Sequence, residues 1–182
     1  MLISEFNTSI GYTLQDSPHT RWTEAELLVY MNDGLRDYAV KTMSFPAKET
    51  FTMSSVVTSY FLTGEIIKLK SITPSAGAFE FGVPTPREIT IALPKDDIDV
   101  AVEYFTVPEP LTNISTTMDF FHNTIEALRY YVLMRCYQKD EISQNFQRAG
   151  FYEQKYLQTV AQNADGYASE LHPTVFQNDF YV

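Results

Sequence analysis

The chain has 182 residues, 45% of them hydrophobic and 20% charged, which describes a globular protein with a genuine core and excludes a disordered chain. Thirteen basic residues stand against 23 acidic ones, a net charge of −10, and the basic residues form no cluster. A specific grip on DNA or RNA, which needs lysines and arginines to displace counterions from phosphates, is therefore not expected.

Cys136 is the single cysteine, so an internal disulfide and a zinc-ribbon spacing are both excluded. No uncharged apolar run approaches the roughly 18 residues of a membrane span, and the first residues lack the basic start and apolar stretch of a signal peptide. Synthesis in a cytoplasm, with no membrane partner, is the expectation. The 13 Phe and 12 Tyr against a single Trp suit either a β-rich core or surfaces dry on one side and wet on the other.

In chain order, residues 1–20 are mixed in pattern and end in a turn-like cluster, Asp16-Ser17-Pro18-His19-Thr20. A helix is predicted over residues 22–42. Thr23 and Glu26 form a capping box, in which the hydroxyl accepts from an early backbone N–H and the glutamate reaches back. Leu27, Tyr30 or Met31, Leu35 and Tyr38 follow at helical spacing. Trp22, just before the cap, reads as a staple under this helix rather than an interface anchor. Gly34 costs the helix about 1 kcal/mol relative to Ala, so a close neighbour is expected there.

Over residues 49–107 the period changes to two. Phe51 to Leu62 is rich in Thr, Val and aromatics. Ile67 and Leu69 alternate with Lys68 and Lys70, Ile89 and Ile91 with Glu88 and Thr90, and Ile98, Val100, Val102 and Tyr104 with Asp99, Ala101 and Glu103. Prolines and glycines fill the gaps, and Gly77 and Gly82 bracket a hairpin-like turn. Strands without intervening helices predict an antiparallel sheet or small sandwich.

Two further helices are predicted, over residues 116–138 and 140–162. The first carries Met118, Phe121, Ile125, Leu128 and Val132 as its apolar stripe. Asp140 caps the second, whose stripe is Ile142, Phe146, Ala149, Tyr152 or Tyr156, and Val160. Helices joined so closely pack as an antiparallel hairpin. The expected fold is α+β, a single domain: a three-helix bundle built from the first helix and the hairpin, an inserted antiparallel sheet or sandwich, and an extended tail over residues 163–182. That tail is acidic and keeps Phe176, Phe180 and Tyr181, which want an apolar surface either on a partner or on the same domain.

Little in the sequence carries chemistry. Asp119, His122 and Glu126 fall on one face of the helix predicted over residues 116–138, at a spacing that matches no known metal signature and on its polar side, so they read as a solvated face. Asp16 and His19 are close in sequence but sit in a turn-like segment. No nucleophile elbow or phosphate-binding loop is present, and Cys136 reads as a small buried hydrophobe. No catalytic residue, metal or cofactor is assigned. The alternative from the residues alone is a stand-alone carbohydrate- or protein-binding module with a β-sandwich face.

The segment Arg21-Trp22-Thr23-Glu24-Ala25-Glu26-Leu27-Leu28, continuing through Met31-Asn32-Asp33-Gly34-Leu35-Arg36-Asp37, resembles the opening helix of bacteriophage head-to-tail adaptor proteins, the head-tail connector or tail tubular protein A-like family. Pro46 after the helix, Val102-Glu103-Tyr104 before Pro108-Glu109-Pro110, and the Ala127–Leu133 run ahead of Lys139-Asp140 extend the likeness over roughly residues 20–160. The resemblance implies a structural virion protein of the neck, assembled in the host cytoplasm. About a dozen copies would form a ring beneath the portal protein, meet a tail or nozzle protein, and let DNA pass through the lumen without sequence-specific binding. It also implies that Phe176, Phe180 and Tyr181 reach the portal.

Overall fold

The computed structural model describes residues 1–17, 19–77, 79–91, 96–139 and 143–168. It is a mixed α+β fold with four helices and two small antiparallel sheets among the described residues. The first helix, α1 (Ile3–Leu14), lies where the sequence pattern predicted none. Its inward stripe of Ile3, Phe6, Ile10 and Leu14 packs into the main apolar core, with the first three fully buried. Its N-terminal amides are satisfied from far along the chain, as Ile3 N–H donates to the Thr116 carbonyl and Ser4 N–H to that of Ile114. Glu5 closes the start by accepting from the Leu2 N–H at 2.9 Å.

Helix α2 (Glu24–Thr42) follows the predicted segment closely, and Thr23 caps it by accepting from the Glu26 N–H at 3.3 Å. Leu27, Met31, Leu35 and Tyr38 face inward. Gly34 is packed as expected: a Cβ there would lie 2.8 Å from Tyr131 Cδ1 and 2.9 Å from Leu128 Cδ1, so α3 crosses α2 at the glycine.

The strands are β1 (Pro46–Met53), β2 (Ser59–Phe61), β3 (Glu65–Pro74), β4 (Phe81–Thr85), β5 (Glu88–Ile91) and β6 (Ile98–Val107). One sheet runs β1-β6-β3 and the other β2-β5-β4. Phe51, Val100, Val102 and Tyr104 from the first meet Ile89 and Ile91 from the second, together with Leu62, in one apolar core. The β6 alternation holds as predicted, with Ile98, Val100, Val102 and Tyr104 inside. In β3 the register shifts between Ile66 and Lys68 and again between Leu69 and Ser71. Those irregularities bring Ile66, Leu69 and Ile72 against the core, while the expected alternation holds over residues 67–70, with Ile67 and Leu69 half-buried and Lys68 and Lys70 exposed. The Gly77–Gly82 stretch is not a hairpin between paired strands. It leads from β3 to β4, which belong to different sheets, and Gly77 takes the turn at φ +74° while Gly82 lies inside β4.

Helix α3 (His122–Lys139) begins six residues later than predicted. Residues 116–121 instead run beside the start of α1, with Met118 N–H donating to the Met1 carbonyl. Phe121, expected in the apolar stripe, is 77% exposed, whereas Met118, Leu128 and Val132 are buried. Helix α4 (Ser143–Ala168) extends beyond residue 162, so residues 163–168 are helix rather than tail. Asp140, Ile142 and the rest of the predicted tail lie outside the described residues. The pairings Asn123–Asn163, Tyr131–Tyr156 and Tyr137–Tyr152 show α3 and α4 to be antiparallel. Tyr156, deeply buried on α4, donates to Asp37 on α2 and ties those helices together. In α4 the predicted stripe holds at Ala149, Tyr156 and Val160 but fails at Phe146, which is 58% exposed. Among the described residues no helix is long and apolar enough to cross a membrane.

Candidate functional site

The three residues marked before and within the first predicted helix form a connected structure. Trp22 is buried in the main core beside Leu27, with the Arg21 guanidinium 4.7 Å from its ring centre. Thr23 is the cap. Glu26 departs from the predicted capping box, because its carboxylate is engaged across the fold. It accepts from Lys139 Nζ on α3 at 2.7 and 2.8 Å and from the Tyr30 hydroxyl at 2.8 Å. The Lys139 hydrogen bond, working against burial and aided by Tyr30, holds the Glu26 carboxyl below its ordinary pKa. Asn32 has a structural part that the sequence did not reveal. Its amide both donates to the Leu111 carbonyl at 2.9 Å and accepts from the Leu111 N–H at 2.7 Å, fastening the segment after β6 to α2.

Asp16 is a scaffold rather than half of a catalytic pair. One carboxylate oxygen accepts from the Thr20 N–H and hydroxyl, the other from the N–H groups of Arg21 and Trp22, all at 2.9–3.0 Å. Burial works to raise its pKa, but these four hydrogen bonds outweigh it and leave the carboxyl below the ordinary value. His19 adopts a left-handed backbone (φ 52°) and lies over Gly11, where a Cβ would come within 2.8 Å of its ring. The Asp16 carboxylate is thus fully used by the backbone leading into α2.

A second carboxylate joins the sheets. Glu49 on β1 accepts from the Thr63 N–H at 2.9 Å, the Thr63 hydroxyl at 2.6 Å, the Tyr60 hydroxyl of β2 at 3.2 Å and the Tyr104 hydroxyl of β6. Burial raises its pKa, yet the hydrogen bonds prevail and the carboxyl titrates lower than usual. Phe51 and Tyr60 stack beside it with centroids 3.7 Å apart. Hydrogen bonds to a charged group contribute about 1.5–3 kcal/mol each when broken singly. Replacing Glu49 by Ala is expected to destabilise the protein by about 2–4 kcal/mol and to speed hydrogen exchange at the Thr63 amide. Urea denaturation and exchange NMR check this; an unchanged Thr63 exchange rate would refute the role.

The other sequence candidates are scattered. Asp119 precedes α3, His122 opens it exposed, and Glu126 accepts from Tyr130, so the three do not share a helix face. No group of three metal-ligating side chains occurs among the described residues. Cys136 is fully buried, and that burial pushes its thiol up to about 12, the wrong direction for a nucleophile. Phe176, Phe180 and Tyr181 lie outside the described residues.

What the described surface does offer is apolar area. On α4, Phe146, Phe151 and Leu157 are each about half exposed, and an open groove of about 600 Å³ lies between the end of α1 and the α3–α4 pair. Val56, Phe61 and Val83 are exposed on or near the second sheet. Sequence reasoning missed the α4 face in part because Phe146 falls at a spacing that a core stripe also uses.

No protein-family model matches the sequence, and no curated protein matches it.

Proposed function

We propose that the protein is a bacteriophage head-to-tail adaptor, a non-enzymatic virion component that closes into a ring under the portal and joins it to the tail. The observation that carries the reading is the order of parts. Arg21 to Asp37, the segment of the resemblance, forms the cap and body of α2, the strands follow, and an antiparallel helix pair ends the described chain. In this reading α2, α3 and α4 act as a three-helix bundle, and the two sheets act as an inserted sandwich layer.

A closed ring of identical subunits needs two different faces, one toward each neighbour. The exposed apolar side chains of α4 and those around the second sheet are separate surfaces that suit this requirement. The net charge of −10 suits a lumen through which DNA slides without being held. Phe176, Phe180 and Tyr181 are assigned to the portal contact, and the tail or nozzle protein meets the opposite end.

Mixed with its portal, the protein is expected to give rings of about twelve subunits in electron micrographs. A chain that stays monomeric and leaves the portal bare would overturn the proposal.

A further inference from the structure

We propose that the groove beside α4 is a seat for the chain's own C-terminal segment, residues 169–182. The groove is lined by Thr13 and Gln15 from the end of α1, Tyr137 from α3, and Arg148, Phe151 and Tyr152 from α4. Tyr137 and Tyr152 stack nearly parallel with centroids 5.7 Å apart, Phe151 meets Tyr152 edge-on, and Arg148 sits 5.6 Å from the Tyr137 ring centre. Phe151 stays 53% exposed, with Lys155 Nζ 5.9 Å from its ring centre. Aromatic area of this size beside a cation fits an extended peptide carrying aromatic and acidic side chains.

Three features single out this occupant. The first is chemistry: residues 169–182 contain Phe176, Phe180 and Tyr181 with Glu170 and Asp179, and no lysine or arginine. Arg148 beside the Tyr137 ring and Lys155 beside the Phe151 ring supply the opposite charge. The second is position, since the segment follows directly from Ala168, the last residue of α4.

The third is reach. Phe151 lies 17 residues before Ala168, about 26 Å back along a helix rising 1.5 Å per residue. Phe180 lies twelve residues after Ala168, and with about four of them spent on reversing direction the remaining eight, at about 3.3 Å each, cover the same 26 Å. A segment doubling back on α4 is therefore long enough to bring Phe180 to the level of Phe151. The geometry does not depend on the adaptor reading. Joined to that reading, it covers the portal-binding aromatics until the portal competes for them.

The test uses the full-length chain with Gln147→Cys and Val182→Cys, both about 32 Å from Ala168 by the same arithmetic. Cys136 does not compete, being buried with its thiol held protonated. Mild oxidation is expected to give an intrachain disulfide at least about ten times faster than the control pair of Val182→Cys with Val29→Cys, the latter exposed on α2. Adding Arg148→Glu should slow it toward the control. Equal rates for the two pairs would overturn the seat, and links formed only between chains would overturn its assignment to the same chain. A failed ring assay with a fast intrachain link would remove the adaptor reading and leave this one standing.

Discussion

Replacing Phe6 by Ala is expected to cost about 3–5 kcal/mol, the range for truncating a fully buried aromatic side chain. Phe6 is inaccessible to solvent and packs in the same core as Trp22, Leu27, Met31 and Leu128. The loss combines the transfer energy of the ring with a cavity that α1 is poorly placed to fill, because backbone hydrogen bonds to Thr116 and Ile114 pin its start. For a chain of this size each kcal/mol lowers the melting temperature by about 2–4 °C, so a fall of roughly 10 °C is expected. Tyr12→Ala on the same helix is the control. Tyr12 is 68% exposed, and its truncation should change stability by less than about 0.5 kcal/mol. Thermal unfolding of both variants decides the matter, and similar small shifts for the two would mean that α1 is a loosely attached appendage.

The contrast between α1 and α2 explains what the sequence made legible. Helix α2 carries its own start signal in Thr23, one turn from the amide it caps, so local reasoning located it. Helix α1 has an apolar period of the same quality in Ile3, Phe6, Ile10 and Leu14, but its capping partners lie more than 100 residues away and its interior contains Asn7, Thr8, Ser9 and Gly11. Those residues are weak helix formers, so the stripe was outvoted. The same distant pairing misled the reading of α3: Met118 and Phe121 hold helical spacing, yet the Met118 amide is committed to Met1.

Side-chain wiring was less legible still. The residue types at Glu26, Asn32 and Glu49 were visible, but their partners Lys139, Leu111 and Tyr104 depend on how distant elements meet. A tertiary contact decided each case, and period or propensity carries no record of it. Gly34 is the exception, since a glycine in a helix interior is costly unless a neighbour needs the room, and Tyr131 and Leu128 do.

Asp16→Ala is expected to destabilise the protein by about 2–4 kcal/mol and to alter Trp22 directly. Four donors converge on this nearly buried carboxylate, and three of them are the consecutive backbone amides of Thr20, Arg21 and Trp22. Removing the acceptor leaves those amides without their partner at the point where the chain turns into α2. Trp22 is the only tryptophan, and it is 3% exposed, so its fluorescence reports this junction alone.

The variant should show a red-shifted emission under native conditions, before global unfolding begins. The pH dependence has a definite sign. The folded-state pKa of Asp16 lies below its ordinary value near 3.8, so the unfolded chain binds the extra proton first as pH falls. The stabilisation is complete above that ordinary value and is lost as pH drops through the lower, folded pKa. Glu26 and Glu49 shift in the same direction, so the Asp16 share is read as the difference between the native chain and Asp16→Asn, which keeps the shape without the charge. That difference should be constant from pH 8 to about pH 5 and shrink below about pH 4. A difference that is flat down to pH 2, or a Trp22 emission unmoved in Asp16→Ala, would mean that the four hydrogen bonds hold nothing in place.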